Sequence, residues 1–257
     1  MQDNSRRLVD YHVHSTHSID GRSSMDELCR RAIELKLDEV GFCEHVEFEP
    51  SDPALNFFVY ERYSEAIDQA RSRYAGKLTI RKGAEVDYGF DSEANIRAWL
   101  EGKDFDYLVG SVHYVDHVAF DLHKNLPMPP ITAAKKYYLK MRQAAESKLF
   151  NVIGHFDLIR NCLPVGLDGT SAASTLIDGA FERMAVNKIC LEVNSRRREN
   201  REPFPSRRLI RRYLEKGGEL FSLGSDAHSA RTLGVGVVQA MEILRDITTK
   251  PIHMLFE

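Results

Sequence analysis

Several features that mark common protein classes are scarce in this sequence of 257 residues. No apolar run approaches the ~20 residues that a membrane-spanning helix needs, and we expect no signal peptide because the N-terminal residues lack its apolar stretch. Basic residues are not in excess: 35 Lys and Arg face 38 Asp and Glu, for a formal net charge of −3. We therefore expect neither a membrane nor a nucleic acid as a partner.

Cysteine is also scarce, and the four cysteines form no CxxC pair: they are Cys29, Cys43, Cys162 and Cys190. Their scatter fits neither a zinc ribbon nor a disulfide framework. We expect buried, reduced thiols and a cytoplasmic location. With 43% hydrophobic and 28% charged residues, the composition is that of an ordinary globular protein.

Short apolar runs alternate with segments of helical periodicity along the whole chain. The predicted strands are Leu8–His14, Glu39–His45, Leu78–Val86, Tyr107–His113, Asn151–His155, Lys188–Val193 and Glu219–Gly224. The predicted helices are Met25–Leu37, Tyr60–Tyr74, Ser92–Leu100, 130–148, Ser174–Val186, Ser206–Lys216 and Val237–Ile247. Strict alternation indicates a parallel sheet. The sequence has no glycine-rich phosphate loop after the first strand. The alternation therefore predicts one domain, residues 1–257, with the α/β fold of a closed or nearly closed TIM-like barrel of seven units.

Two further segments do not fit the alternation. Val115–Met128 is polar and predicts a loop or a hairpin, and Ile252–Phe256 is a short apolar run at the end of the chain. A capping box is predicted at the first helix, because Ser24 is followed three residues later by Glu27.

Histidines and acidic residues lie at or just past the C-terminal end of each predicted strand. They are His12, His14 and Asp20; Glu44 and His45; Glu85; His113; His155 and Asp157; Glu192 and Asn194; Asp226 and His228. In a parallel barrel these ends converge on one face, where active sites lie. An HxH pair on a strand points both imidazoles the same way. Imidazoles and carboxylates in this number indicate a site for several divalent metal ions.

The ordered motifs resemble the PHP (polymerase and histidinol phosphatase) superfamily, in particular its histidinol-phosphate phosphatase branch. The resemblance is carried by His12-Val13-His14-Ser15, Asp20-Gly21, Glu44-His45, Gly83-Ala84-Glu85, Gly110-Ser111-Val112-His113, Gly154-His155-Phe156-Asp157 and Ser225-Asp226-Ala227-His228. It runs from the first predicted strand to the seventh. It implies a distorted seven-unit β/α barrel with three divalent metal ions, zinc, iron or manganese, at the C-terminal mouth.

The resemblance also implies which residues hold each ion. The first ion would take His12, His14, Glu85 and Asp226. The second would share Glu85 and add His113 and His155. The third would take Asp20, His45 and His228, and some family members have His where Asp20 stands. Asp157 and Glu192 are expected to orient these ligands rather than to bind metal.

The resemblance implies a phosphate-binding role for arginines in two loops. Arg160 follows the fifth strand, and Arg197 is favoured among Arg196, Arg197 and Arg198 after the sixth. Guanidinium groups match phosphate oxygens bidentately. His17 lies between His14 and Asp20 and is a further candidate for contact with substrate.

These residues predict a metal-dependent phosphomonoesterase acting on a small phosphorylated substrate, with L-histidinol phosphate of histidine biosynthesis as the implied substrate. Glu85 would bridge two ions, and the candidates for protonating the leaving alcohol are a water on the third ion, Asp226 and His228. Glu47, Phe48, Glu49, Phe57 and Phe58 are candidate walls for the histidinol moiety. The alternatives are a PHP-type nucleotide phosphoesterase or exonuclease, an amidohydrolase, and an inactive metal-binding module. Amidohydrolases usually have a bridging lysine where this chain has His113.

Overall fold

The computed structural model describes residues 7–120, 127–163, 171–196, 202–249 and 251–256. Its main feature is one sheet of parallel strands. The strands of that sheet are β1 (Val9–Val13), β2 (Glu39–Val46), β3 (Thr79–Asp87), β4 (Tyr107–Ser111), β7 (Val152–Ile153), β8 (Cys190–Asn194), β9 (Leu220–Gly224) and β10 (His253–Met254). A small antiparallel hairpin joins β5 (Tyr114–Val115) to β6 (Val118–Ala119).

The strands lie in the order β1-β2-β3-β4-β7-β8-β9-β10, so the described part of the main sheet has eight strands. The sheet curls until its first strand meets the segment after β9, where Val13 bridges Ala227 in parallel. The His14 amide donates to the Ala227 carbonyl oxygen at 2.8 Å. The α/β class and the parallel sheet are thus confirmed. The count of seven is not, because the terminal apolar run adds β10 beside β9.

Helices follow most of these strands and cover the outside of the sheet. They are α1 (Met25–Glu34), α2 (Tyr60–Arg73), α3 (Glu93–Leu100), α4 (Pro130–Ser147), α5 (Ser174–Asn187), α6 (Arg207–Glu215) and α7 (Val237–Ile247). The predicted capping box is confirmed: Ser24 Oγ accepts from the Glu27 amide, and the Glu27 carboxylate accepts from the Ser24 amide. Among the described residues, none of the helices combines the length and apolarity needed to cross a bilayer.

Aromatic side chains fill the lower end of the curled sheet. At two positions on neighbouring strands they leave no room for a side chain. The Tyr107 hydroxyl donates to the Tyr11 carbonyl oxygen at 2.7 Å. A Cβ atom at Gly41 would lie 2.2 Å from the Tyr107 hydroxyl oxygen, and one at Gly83 would lie 2.5 Å from its ring. Glycine is therefore required where this ring crosses β2 and β3. With the lower end closed, the polar strand ends are left at the opposite face.

Two predicted strands end two residues earlier than expected, close to the polar face. β4 stops at Ser111 rather than His113, and β7 contains only Val152 and Ile153. Beyond β4 the chain turns into the β5–β6 hairpin, which confirms the hairpin predicted for part of Val115–Met128; residues 121–126 of that segment lie outside the described ranges. All four cysteines are buried thiols that form no disulfide within the described residues, as predicted.

Candidate metal and active site

The C-terminal ends of β1, β2 and β3 bring the predicted ligands together. His12 belongs to β1 and His14 follows it directly. His45 in β2 lies in register with Glu85 in β3. Except for His45, these side chains are almost wholly buried. A polar cluster therefore lies at the mouth of the curled sheet.

Glu85 is the centre of this cluster, and its two carboxylate oxygens face different histidines. Oε2 lies 3.2 Å from His12 Nε2, 3.6 Å from His14 Nε2 and 3.0 Å from His45 Nδ1. Oε1 lies 2.7 Å from His155 Nε2 and 3.4 Å from His113 Nε2. A carboxylate placed in this way can bind two cations at once, one through each oxygen.

A third group of ligand atoms lies around Asp20. Asp20 Oδ2 is 2.9 Å from His228 Nε2, and Asp20 Oδ1 is 3.6 Å from His45 Nε2. Asp226 Oδ1 lies 3.6 Å from His14 Nε2, so Asp226 belongs with the β1 histidines. The structure thus brings all nine predicted ligands to one place. His45 faces both Glu85 and Asp20, and its ring stacks on His14 at 4.2 Å.

The tautomer of three imidazoles is set by what their Nδ1 atoms contact. His12 Nδ1 lies 2.5 Å from Glu192 Oε1, and His113 Nδ1 lies 3.2 Å from Glu47 Oε1. His228 Nδ1 lies 3.0 Å from the Asp226 carbonyl oxygen, which can only accept. In the neutral form that metal binding requires, each of these rings therefore carries its proton on Nδ1 and directs the lone pair of Nε2 into the cluster.

His14 receives the same orientation through a serine. Ser18 Oγ donates to Glu44 Oε2 at 2.6 Å, accepts from the His45 amide at 3.0 Å and lies 3.3 Å from His14 Nδ1. Because Ser18 donates its single hydroxyl proton to Glu44 Oε2, Nδ1 of His14 must be the donor to Ser18 Oγ. The Nε2 atoms of His12 and His14 are buried and have no hydrogen-bond partner among the described residues. A buried lone pair without a donor is costly, and a divalent cation would satisfy it.

The loop after β9 is held against β1 by Asp10. Its carboxylate accepts from the Ser225 amide at 2.9 Å, from the Ser225 hydroxyl at 2.5 Å and from the Gly234 amide at 2.9 Å. Asp226 follows with φ of 54°, a left-handed conformation that is uncommon outside glycine. Asp10 therefore helps to fix the backbone that presents Asp226 and His228.

The electrostatics of the cluster reflect the close approach of opposite charges. Burial opposes ionisation of Glu85, but the charges of His12 and His113 outweigh it and hold the Glu85 pKa well below its usual range. Burial likewise lowers the pKa of His45, but Asp20 and Glu85 outweigh it and raise that pKa to about 10. For His14, burial together with His45 and His228 lowers the pKa far below 6.5. The pKa values of the stacked rings of His14 and His45 are thus shifted in opposite directions.

A cavity of about 220 Å³ opens beside the cluster. Several of the predicted ligands line this cavity together with Arg196. Nη1 of Arg196 lies 3.1 Å from Oδ2 of Asp226. Arg160 is not among the residues that line the cavity. Its Nη2 instead donates to the Pro203 carbonyl oxygen at 2.9 Å, and its guanidinium stacks on Phe204.

Some predicted substrate contacts receive no support from the geometry. His17 packs edge-on against Tyr63 at 5.7 Å and does not line the cavity. Arg197 lies outside the described residues. Of the predicted walls for the histidinol moiety, only Glu47 is among the residues that line the cavity; Phe48, Phe57 and Phe58 are not. Glu49 contacts His117 and Ser51 instead. Glu192 contacts His12 as expected, whereas Asp157 accepts from the Ser206 amide at 3.1 Å.

Sequence reasoning did not single out Ser18 or Asp10, nor the role of Glu44 and Glu47 as partners of other side chains. Glu47 had a usable signal, because it follows His45 by two residues, the spacing that puts side chains on one face of an extended chain, although β2 ends at Val46. Ser18 and Asp10 had no such signal. Their partners, Glu44 and Ser225, are 26 and 215 residues away in the chain.

Comparison with known proteins agrees with this architecture. A histidinol phosphate phosphatase from Lactococcus lactis, in complex with zinc, L-histidinol and phosphate, superposes with a TM-score of 0.84 at 22% identity and covers 97% of this chain and 95% of its own. A putative histidinol phosphatase from Listeria monocytogenes superposes with a TM-score of 0.77 at 19% identity, over 90% of this chain and 99% of its own.

Sequence relatives cover nearly the whole chain. A probable histidinol-phosphatase of Deinococcus radiodurans is 27% identical over 93% of this chain and 94% of its own length. One of Thermotoga maritima is 26% identical over 93% of this chain and 91% of its own. The model of the PHP domain matches residues 10–196, a span that contains seven of the nine predicted ligands. With this match, and with the ligands gathered as the motifs predicted, the chain belongs to the PHP domain family.

Proposed function

We propose that this protein is a metal-dependent phosphomonoesterase that hydrolyses L-histidinol phosphate to L-histidinol and phosphate. The observation that carries the proposal is the placement of Glu85, whose two oxygens face two separate sets of histidines. The names of the Deinococcus and Thermotoga relatives, and the zinc, histidinol and phosphate bound by the Lactococcus protein, support this substrate.

The cofactors of this proposal are three divalent ions, zinc, iron or manganese. His12, His14, Glu85 and Asp226 would hold the first ion, and Glu85, His113 and His155 the second. Asp20, His45 and His228 would hold the third. Support comes from the groups of ligand atoms that lie within 4.8 Å of one another, among them His12, His14 and Glu85. Imidazole nitrogen with carboxylate oxygen is a donor set that suits zinc, iron and manganese.

Bound divalent ions would lower the pKa of a water molecule and neutralise charge on the phosphate. The chain's own residues would do the rest. Glu85 would hold two ions at a fixed separation, and Asp226 or His228 would deliver a proton to the leaving alcohol. Arg160 and Arg197 would bind phosphate oxygens, with His17 as a further contact. Arg196 joins this set as a candidate, because it lines the cavity beside Asp226.

We further propose that the curled sheet is a distorted barrel of seven strand–helix units in one domain spanning residues 1–257. The bridge between Val13 and Ala227 supports closure of the barrel. The packing of Phe256 against Tyr11, at 5.4 Å between ring centroids, supports inclusion of the C-terminal segment. A small phosphorylated substrate fits the cavity of about 220 Å³. The cytoplasmic location, and the absence of membrane and nucleic-acid partners, stay predictions.

The test is release of inorganic phosphate by the metal-loaded protein from a panel of phosphomonoesters. We expect the highest kcat/KM for L-histidinol phosphate, above nucleoside monophosphates and p-nitrophenyl phosphate. The Glu85→Gln variant, purified in parallel, controls for contaminating phosphatases. A higher kcat/KM for a nucleotide would favour the nucleotide phosphoesterase, and loss of all turnover with full metal content would favour the inactive module.

A further inference from the structure

Apart from the predicted ligands and Arg196, the lining of the cavity is apolar except for two carboxylates, and we call this part of the lining the wall. Ile19, Pro53, Ala54, Tyr114 and Leu158 supply the apolar part, and Asp52 and Glu47 supply the acidic part. A substrate whose phosphate lies at the metal cluster must direct its alcohol portion toward this wall. The chemistry of the wall therefore selects the leaving group.

Asp52 differs from the other carboxylates of the cavity in having no cationic partner there. Asp20, Glu85 and Asp226 each lie within 4 Å of a histidine or arginine nitrogen. Within the described ranges, Asp52 makes no ion pair; its Oδ1 accepts from the Ala54 amide at 2.6 Å. That bond fixes the side chain in the wall and leaves Oδ2 for another donor.

A second acceptor borders the same space. Glu47 is 8% exposed, and its Oε1 is used by His113. Its Oε2 is buried and has no hydrogen-bond partner among the residues described. Two cavity-lining carboxylates that each keep an oxygen without a partner among the described residues favour binding of an organic cation, because the charge satisfies the oxygens and the carbon skeleton packs on the apolar wall.

We propose that Asp52, assisted by Glu47, is a binding subsite for an ammonium group on the leaving alcohol and sets the preference of the enzyme for aminoalkyl phosphates. The proposal rests on the proposed function, because it needs the phosphate end of the substrate at the metal cluster. L-Histidinol carries such an ammonium group, and its imidazole would pack on the apolar side chains of the wall.

The neighbouring Glu49 provides a matched control. It belongs to the same segment after β2, but its carboxylate accepts from Ser51 and lies 3.0 Å from His117 Nδ1, outside the cavity. Asp52→Asn and Glu49→Gln each remove one negative charge from this segment. The side-chain amide introduced by Asp52→Asn keeps an oxygen for the Ala54 amide, so the turn is retained.

The experiment measures kcat and KM of both variants and the unmodified protein with L-histidinol phosphate, O-phosphoethanolamine and ethyl phosphate. The last two differ chiefly by the ammonium group. We expect Asp52→Asn to lower kcat/KM for both cationic substrates about 10- to 100-fold, mainly through KM, while ethyl phosphate changes by less than about 2-fold. Glu49→Gln should leave all three unchanged.

Equal losses on all three substrates, or no loss on any, would overturn the subsite while the proposed function stands. The reverse outcome is also distinct. In it, the unmodified protein prefers O-phosphoethanolamine to both L-histidinol phosphate and ethyl phosphate, and Asp52→Asn abolishes that preference. In that case the subsite stands and the assigned substrate is wrong.

Discussion

Ser18 Oγ lies 3.3 Å from Nδ1 of His14 and makes that nitrogen the donor, because the only hydroxyl proton of Ser18 points to Glu44. The consequence appears at the other side of the ring, where Nε2 of His14 is left with a lone pair and no partner among the described residues. A buried carboxylate thus sets the tautomer of a proposed metal ligand through one serine. Partners of this kind typically change metal affinity ~10- to 100-fold when removed.

Ser18→Ala should therefore weaken metal binding at His14 without emptying the whole cluster. We expect the protein's affinity for the ion bound by His14 to fall ~10- to 100-fold. The free energy of unfolding should fall by ~1–3 kcal/mol, because the His45 amide also loses its hydrogen-bond acceptor. Chelator competition measures the first effect. Imidazole ¹⁵N shifts of the metal-free protein should show His14 moving from one tautomer to a mixture.

Ser15→Ala is the matched control for this prediction. The Ser15 hydroxyl donates to the same carboxylate, Glu44 Oε1, at 2.6 Å but does not contact His14. It should reduce stability while leaving the His14 tautomer unchanged. The same tautomer shift in both variants would mean that Glu44, rather than the Ser18 hydroxyl, acts on His14 by another route.

Glu85→Gln should remove metal from two sites at once. Glutamine keeps the shape of the side chain, but it lacks the charge on which both proposed ions depend, and its amide group cannot act as an anionic ligand. We expect about two ions fewer per chain by elemental analysis and near-complete loss of phosphatase activity. Full metal content with unchanged turnover would contradict the bridging role.

Glu39→Gln is the control for this variant. Glu39 is a buried carboxylate at the other end of β2, 2.7 Å from Arg81 Nε and far along the strand from the mouth. Its replacement should lower the thermal midpoint without changing metal content. Loss of metal in both variants would indicate a general effect of destabilisation.

The sequence predicts the elements and ligands that depend on local or periodic signals. The boundaries of α7 follow from helical spacing alone, and His12 and His14 are found because strand alternation puts both on one face. The same rules overestimated β4, which stops at Ser111, because the backbone there turns into the hairpin that starts at Tyr114.

What the sequence does not predict are contacts between distant segments. Asp10 was counted as an ordinary strand residue, although its carboxylate ties β1 to the loop after β9. The sequence predicts Glu49 rather than Asp52 as a wall for the histidinol moiety. Both are acidic residues of one polar segment, and only the fold puts Asp52 in the cavity. Long-range packing, rather than residue type, decides which polar group has a role.

Asp20→Ala should affect one ion only. Asp20 contacts His45 and His228, whereas the nearest partners of Glu85 Oε1 are His155 and Ser111. We expect one metal ion fewer per chain and a lower but measurable stability, with the pair at Glu85 retained. Elemental analysis after gel filtration gives the count. Loss of all metal would mean that the three proposed sites do not bind independently.

Arg160→Ala tests whether this arginine binds phosphate or only supports the chain around Phe204. A bidentate, charge-assisted contact is worth ~1.5–3 kcal/mol, so its loss should lower kcat/KM for L-histidinol phosphate about 10- to 150-fold. Part of the change should appear in KM and part in kcat, because the contact would persist from substrate to transition state. The Ki for inorganic phosphate should rise in parallel, and Arg160→Lys should restore little, since an ammonium group cannot reproduce the planar fork.

The structure supplies the competing explanation: the guanidinium donates to the carbonyl oxygens of Glu202 and Pro203. If that is its whole role, Arg160→Ala will lower the thermal midpoint while the Ki for phosphate stays unchanged, and the phosphate-binding role is then wrong.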